Sequence, residues 1–198
     1  MPTHQYFAIY KPFGYLSQFS RELPEHQVLG DLYDFPKDVY SIGRLDRDSE
    51  GLLLLTNDKS LNDRLLNPKN KHWRTYWVQV ENIPTPEAIQ QLCKGVDIRI
   101  NKRVHRTLPA KAKLFDASPP VLERMPPIRF RANVPTAWLS LQLQEGKNRQ
   151  VRRMCAKVGF PVLRLIRYSI EDLTTDGLRI GEVRNLEQEI LMRQLKLL

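Results

Sequence analysis

The 198-residue chain is 41% hydrophobic and 27% charged, an ordinary globular composition long enough for one domain or two closely packed lobes. It has 31 Lys and Arg against 22 Asp and Glu, a formal charge of +9, which favours a polyanionic partner. No apolar run reaches membrane-spanning length, and "MPTHQYFAIYKP" lacks the basic start and apolar stretch of a signal peptide, so a cytoplasmic protein without membrane contact is expected.

Tyr6 to Tyr10 reads as a strand, stopped by Lys11-Pro12 and a turn at Gly14. Leu52 to Leu55 is a short apolar run whose flanks, Gly51 and "TND", favour a buried strand. Ser60 is positioned to cap a short helix carrying Leu61, Leu65 and Leu66, which Asn67-Pro68 ends. In Thr75 to Val80 the alternation puts Tyr76, Val78 and Val80 on one face of a strand. Thr85-Pro86-Glu87 opens a helix that buries Ala88, Ile89, Leu92 and Cys93 and stops at Gly95.

The proline-rich stretch Ser118 to Pro127 reads as an irregular loop or a hinge between lobes. Leu139, Leu141 and Leu143 alternate with polar residues, as in a half-buried strand. Val151, Met154, Cys155 and Val158 then fall at i, i+3, i+4 and i+7 of a helix that Gly159 and Pro161 terminate. Leu163 to Ile166 is strand-like again. Strands and helices mix without regular alternation, so the expected class is α+β, a large mixed and mostly antiparallel sheet with flanking helices.

Three features carry possible chemistry. The first is "GRLDRDSEG", residues 43–51, with Asp46, Asp48 and Glu50 interleaved with arginines in a basic chain. Three carboxylates at alternate positions could hold Mg²⁺ as nucleases do, but no further acid or histidine completes a site, and a solvated charged turn is the simpler reading. The second is the run from Glu145 to Arg167, with seven basic residues and one acid. In it Lys147, Arg149, Arg153 and Lys157 can track phosphates, or form a solvated helix face. The third is Tyr76, which by position alone is a core residue. Cys93 and Cys155 read as reduced core thiols, and the four scattered histidines have no zinc spacing.

Taken together, "GRLDRDSEGLLLLTND", "YKPFGYLSQ", "RTYWVQV", "LPAKAKLF" and "EGKNRQVRRMCAKVGFPVLRLIR" resemble, in order, the motifs of pseudouridine synthases that modify bacterial ribosomal RNA, the RsuA-like group. The resemblance covers roughly residues 5 to 185. It implies a single catalytic domain over 1–198, two lobes with the active-site cleft between them, and no S4 RNA-binding domain in this chain. The segment "PPIRFRANVPTAWL" is most similar to members acting on large-subunit (23S) rRNA. Lys59 after "TND" and Leu108 before Pro109-Ala110 are small departures from the pattern.

The resemblance also implies the reaction. A uridine is flipped from structured RNA, its base leaves C1′, turns and rejoins through C5, with no cofactor and no metal. Asp46 is the expected catalytic carboxylate, acting at C1′ as a nucleophile or at C2′ as a base. Arg152 is its expected guanidinium partner, and Tyr76 stacks on the base or assists loss of the C5 proton. Leu165 packs against the base and Arg44 holds a phosphate. Lys11, Lys147, Arg149, Arg153 and Arg167 complete the expected RNA contacts of a monomer. Ser49 is the expected hydrogen-bonding stay of the Asp46 loop. A non-catalytic RNA-binding protein and a metal-dependent nuclease are the competing classes.

Overall fold

The computed structural model describes residues 4–128, 131 and 133–198. Part of "PPIRFRANVPTAWL", namely residues 129, 130 and 132, lies outside the described residues. The chain forms two compact units. One comprises the sequence up to His72 and from Arg167 onward; the other runs from Trp73 to Ile166.

In the first unit, β1 (Tyr6–Lys11), β2 (Tyr15–Leu16), β3 (Gln27–Val28), β4 (Tyr40–Ser41) and β5 (Glu50–Thr56) precede α1 (Lys59–Leu66). The second holds β6 (Arg74–Glu81), α2 (Pro86–Lys94), β7 (Asp97–Ile100), β8 (Arg103–Arg106), β9 (Lys111–Leu114), β10 (Thr136–Leu143) and α3 (Gln150–Lys157). Strand β11 (Val162–Ile170) starts in the second unit and ends in the first, where β12 (Leu173–Thr174), β13 (Val183–Asn185) and α4 (Gln188–Gln194) follow. Hydrogen bonding orders the large sheet β13-β1-β5-β11-β6-β10-β9, with β4 on β5 and β12 on β11. The registers of β1 with β5 and β13, of β10 with β6 and β9, and of β11 with β12 are antiparallel. This is the α+β fold with a large sheet and flanking helices.

β5 is buried along its whole length. Its four leucines cannot alternate in and out because both faces are covered, and each contributes roughly 2 kcal/mol relative to exposure. Leu53 and Leu55 join Phe7, Ile9, Leu29, Val39 and Leu45 in one apolar cluster. In the second unit β6 and β10 alternate as expected, and Tyr76, Val78 and Val80 enter a cluster with Leu139, Leu141, Val151, Met154 and Leu165.

Three expectations change. Asp58, not Ser60, caps α1, because its carboxylate accepts the backbone N–H of Ser60 (2.9 Å) and of Leu61 (3.3 Å). The proline-rich stretch is irregular, but it lies inside the second unit and not at either unit boundary, so it is no hinge between them. Cys155 is buried, whereas Cys93 is only half-buried at the end of α2; both are free thiols.

Candidate active site

In the first unit the segment before β5 is a charged turn with Arg44 and Arg47 exposed and Asp46 and Asp48 half-buried, and it closes onto Ser49 and Glu50, which are 2% and 1% exposed. The Ser17 hydroxyl accepts the Leu45 N–H at 3.0 Å and donates to the Leu45 carbonyl at 2.9 Å. The Gly14 N–H donates to the Arg47 carbonyl at 2.8 Å, and Arg47 Nε returns a bond to the Gly14 carbonyl at 3.1 Å. Both neighbours of Asp46 are therefore tied to the segment that follows β1. The Ser49 N–H closes a turn on the Asp46 carbonyl at 3.0 Å. The stay is that backbone bond. The buried Ser49 hydroxyl has no hydrogen-bond partner among the described residues, contrary to its expected role.

Asp46 itself is half-buried. Beneath it lies Lys11, whose ammonium donates to the carbonyls of Pro12 (2.8 Å) and Tyr15 (2.7 Å). Burial pulls the Lys11 pKa down to about 7, against the opposing pull of Glu50, Asp48 and Asp46; Arg167 lowers it further. Lys11 is opposite Gly51 in the β1–β5 register. Gly51 has φ +103°, and any Cβ there would collide with the backbone carbonyl of Arg167. Arg167 Nε donates to the Leu52 carbonyl at 2.7 Å.

Two expected RNA contacts are thus corrected. Lys11 is fully buried and Arg167 is 5% exposed, so neither side chain reaches a solvent-borne phosphate. They are interior basic groups: Lys11 bonds the carbonyls of Pro12 and Tyr15 and Arg167 that of Leu52, and the Glu50, Asp48 and Asp46 carboxylates act electrostatically on Lys11. Arg44, by contrast, is exposed, with its guanidinium 3.3 Å from the Gln18 amide oxygen, and remains available to a phosphate.

In the second unit the segment 145–153 is organised around an acid. Glu145 accepts from the Leu108 N–H (2.8 Å), from Gln150 Nε2 (2.7 Å) and pairs with His105 Nε2 (3.0 Å). Gln150 in turn accepts the Lys147 N–H at 2.9 Å. Arg149 starts α3 in the left-handed region, φ 50°, and its side chain and that of Lys147 are exposed. Arg153 bonds the Asn148 carbonyl (3.1 Å) and the Arg99 carbonyl (2.6 Å), so part of its donor set is structural. Arg152 is half-buried, with Nη1 3.4 Å from the Val162 carbonyl. Tyr76 and Leu165 are buried in the same apolar cluster of this unit. Burial also pushes the Cys155 thiol up to about 12, which makes it inert.

Sequence reasoning missed Ser17, Gly14, Gln18, His105, Glu145 and Gln150 as organisers of these loops. They lie within or beside quoted motifs, but a partner 28 residues away, as for Ser17 and Leu45, has no local signature. Among the described residues, no group of three or more His, Cys, Asp and Glu side chains is arranged to hold a metal ion. No helix is long and apolar enough to cross a membrane.

This sheet and its flanking helices are shared with the RNA pseudouridylate synthases. The family model matches residues 5–157, and the chain belongs to that family, whose members isomerise uridine in RNA to pseudouridine. Its relatives are specific. It is 49% identical over 177 residues to ribosomal large subunit pseudouridine synthase E of Vibrio parahaemolyticus, covering 89% of this chain and 71% of the relative. It is 50% identical over 169 residues to the protein of the same name from Xanthomonas axonopodis pv. citri, covering 85% and 86%. A crystal structure of a pseudouridylate synthase superposes with a TM-score of 0.77 at 27% identity, covering 98% of this chain and 75% of that one.

Proposed function

We propose that this protein isomerises a uridine of large-subunit (23S) ribosomal RNA to pseudouridine, with Asp46 as the catalytic carboxylate and no cofactor or metal. The observation that carries the assignment of Asp46 is its fixation: the residues on both sides are clamped by Ser17 and Gly14, and a buried cation lies beneath. The names of the similar proteins support the substrate class. In this reading the protein acts in the cytoplasm, as a monomer.

The chemistry needs one ionised carboxylate. The C1′–N1 bond breaks, uracil departs as an anion, and the base turns so that C5 meets C1′. The C5–C1′ bond forms, the C5 proton is lost and N1 takes up a proton, so the product is an isomer of the substrate. Asp46 serves either by bonding to C1′ until the base rejoins, or by taking the C2′ proton and returning it. A carboxylate held by cations stays ionised in a partly dehydrated site. In this reading Tyr76 stacks on the displaced base, Leu165 packs against it, and Arg152 is the guanidinium partner of the catalytic carboxylate. Arg44, Lys147, Arg149 and Arg153 meet phosphates.

The test is Asp46→Asn on transcribed 23S rRNA. Pseudouridine formation should fall below detection while RNA binding persists. Retained turnover sinks the assignment, and turnover lost on adding EDTA, or a cut RNA chain, would favour a metal-dependent nuclease instead.

A further inference from the structure

The strands β7 and β8 form a two-stranded ribbon outside the large sheet. Their register pairs Ile98 with His105 and Ile100 with Arg103 on one face, and Asp97 with Arg106 and Arg99 with Val104 on the other. The first face is turned inward. Ile98 is buried in the apolar cluster and His105 meets Glu145. The second face and the tip are exposed, including Arg99, Lys102, Arg103, Val104 and Arg106. The only acid in residues 97–106 is Asp97, which pairs with Arg106 at 3.6 Å.

The connection is the two-residue turn Asn101-Lys102, with φ 47° and 65°. That is the turn type whose second place suits glycine. A lysine there carries left-handed strain that a glycine would not, and it puts a cation at the turn of the ribbon. The ribbon is also joined to the basic segment of α3. The guanidinium of Arg153 binds the Arg99 carbonyl on one side and Asn148 on the other, next to the exposed Lys147 and Arg149. The exposed cations of the ribbon and of the α3 entrance therefore flank one Arg153 bridge on this unit.

We propose that the β7–β8 ribbon is an RNA-docking arm that grips the phosphate backbone of a double-stranded stem. This rests on the reading that the protein acts on structured rRNA. The choice of a stem follows from what the arm carries. It has no Phe, Tyr or Trp on which unpaired bases could stack, and His105 is turned inward to Glu145. It offers cations on a stiff two-stranded scaffold, the means by which paired RNA is held through shape and phosphates.

The test is the double substitution Lys102→Gly with Arg103→Thr. Asn-Gly improves the turn and Thr suits the strand, so the fold is kept; matched thermal unfolding verifies this. Binding is measured by titrating salt, with a 16-base-pair RNA duplex and a single strand of equal length as probes. The variant should lose roughly tenfold affinity for the duplex, with the log–log salt slope smaller by about 2, and little for the single strand. An unchanged duplex affinity, or an equal loss on both probes, overturns the arm. Pseudouridine formation by the unaltered protein on 23S rRNA is scored separately, so its absence would sink the reaction assigned above and leave the duplex result standing.

Discussion

The loop at residues 43–51 and the loop at 145–153 solve one problem with opposite charges. In the first, carboxylates are presented and a buried cation, Lys11, lies beneath them. In the second, cations are presented and a largely buried acid, Glu145, collects a backbone N–H, an amide and an imidazole. Lys11 bonds the Pro12 and Tyr15 carbonyls beside the first loop, and Glu145 collects the Leu108 N–H and the Gln150 amide beside the second, so each loop packs against a largely buried ionisable side chain of the opposite type.

Breaking the first loop should cost most. Lys11→Met strands the Pro12 and Tyr15 carbonyls in the interior and removes the ammonium that Glu50 and Asp48 act on, and should lower unfolding free energy by about 3 kcal/mol in urea titrations. The pH dependence sharpens this. The folded Lys11 pKa is about 7, below the ordinary lysine value of 10.5, so between those values the unfolded chain binds more protons. Stability of the unaltered protein should therefore rise from pH 7 towards pH 10 relative to the Met variant. A pH-independent gap between the two would mean that Lys11 stays charged inside.

Breaking the second loop should cost less, because its acid is nearer solvent. Glu145→Ala strands the Leu108 N–H and the Gln150 amide and should cost about 2 kcal/mol. Glu145→Gln, which keeps one acceptor, should cost about half as much. If both variants fall equally, the negative charge and not the hydrogen bonding organises the loop. The smallest effect on stability belongs to Ser17→Ala, roughly 1 kcal/mol for the pair of bonds at Leu45. Its kinetic signature is more telling: kcat on 23S rRNA should drop several-fold with KM little changed, since only the aim of Asp46 is loosened. A change confined to KM would place Ser17 in RNA binding.

Much of this architecture was legible in the residues. The alternation of β6 and β10, the Thr85-Pro86-Glu87 helix start and the apolar stripe of α3 each depend on contacts within a few positions, and each is present where the pattern places it. The cap of α1 was misread by two residues because Asp58 and Ser60 are both competent acceptors, and only the backbone angles choose between them. The short strands β2, β3, β4 and β12 have no periodicity to read, being two residues each.

For the loop "GRLDRDSEG", the residue types and the company of the other motifs determined the family and singled out Asp46. What spacing could not show is that Glu50 and Lys11 share the interior. A lysine after a strand reads as a surface cation, because an isolated buried ammonium is prohibitively costly. That cost is offset only when folding brings carbonyls and carboxylates from 1 to about 40 residues away around it. Sequence determined which charges this protein carries; the tertiary structure decided which of them face solvent and which are buried, because burial and pairing are set by neighbours that the chain order does not place together.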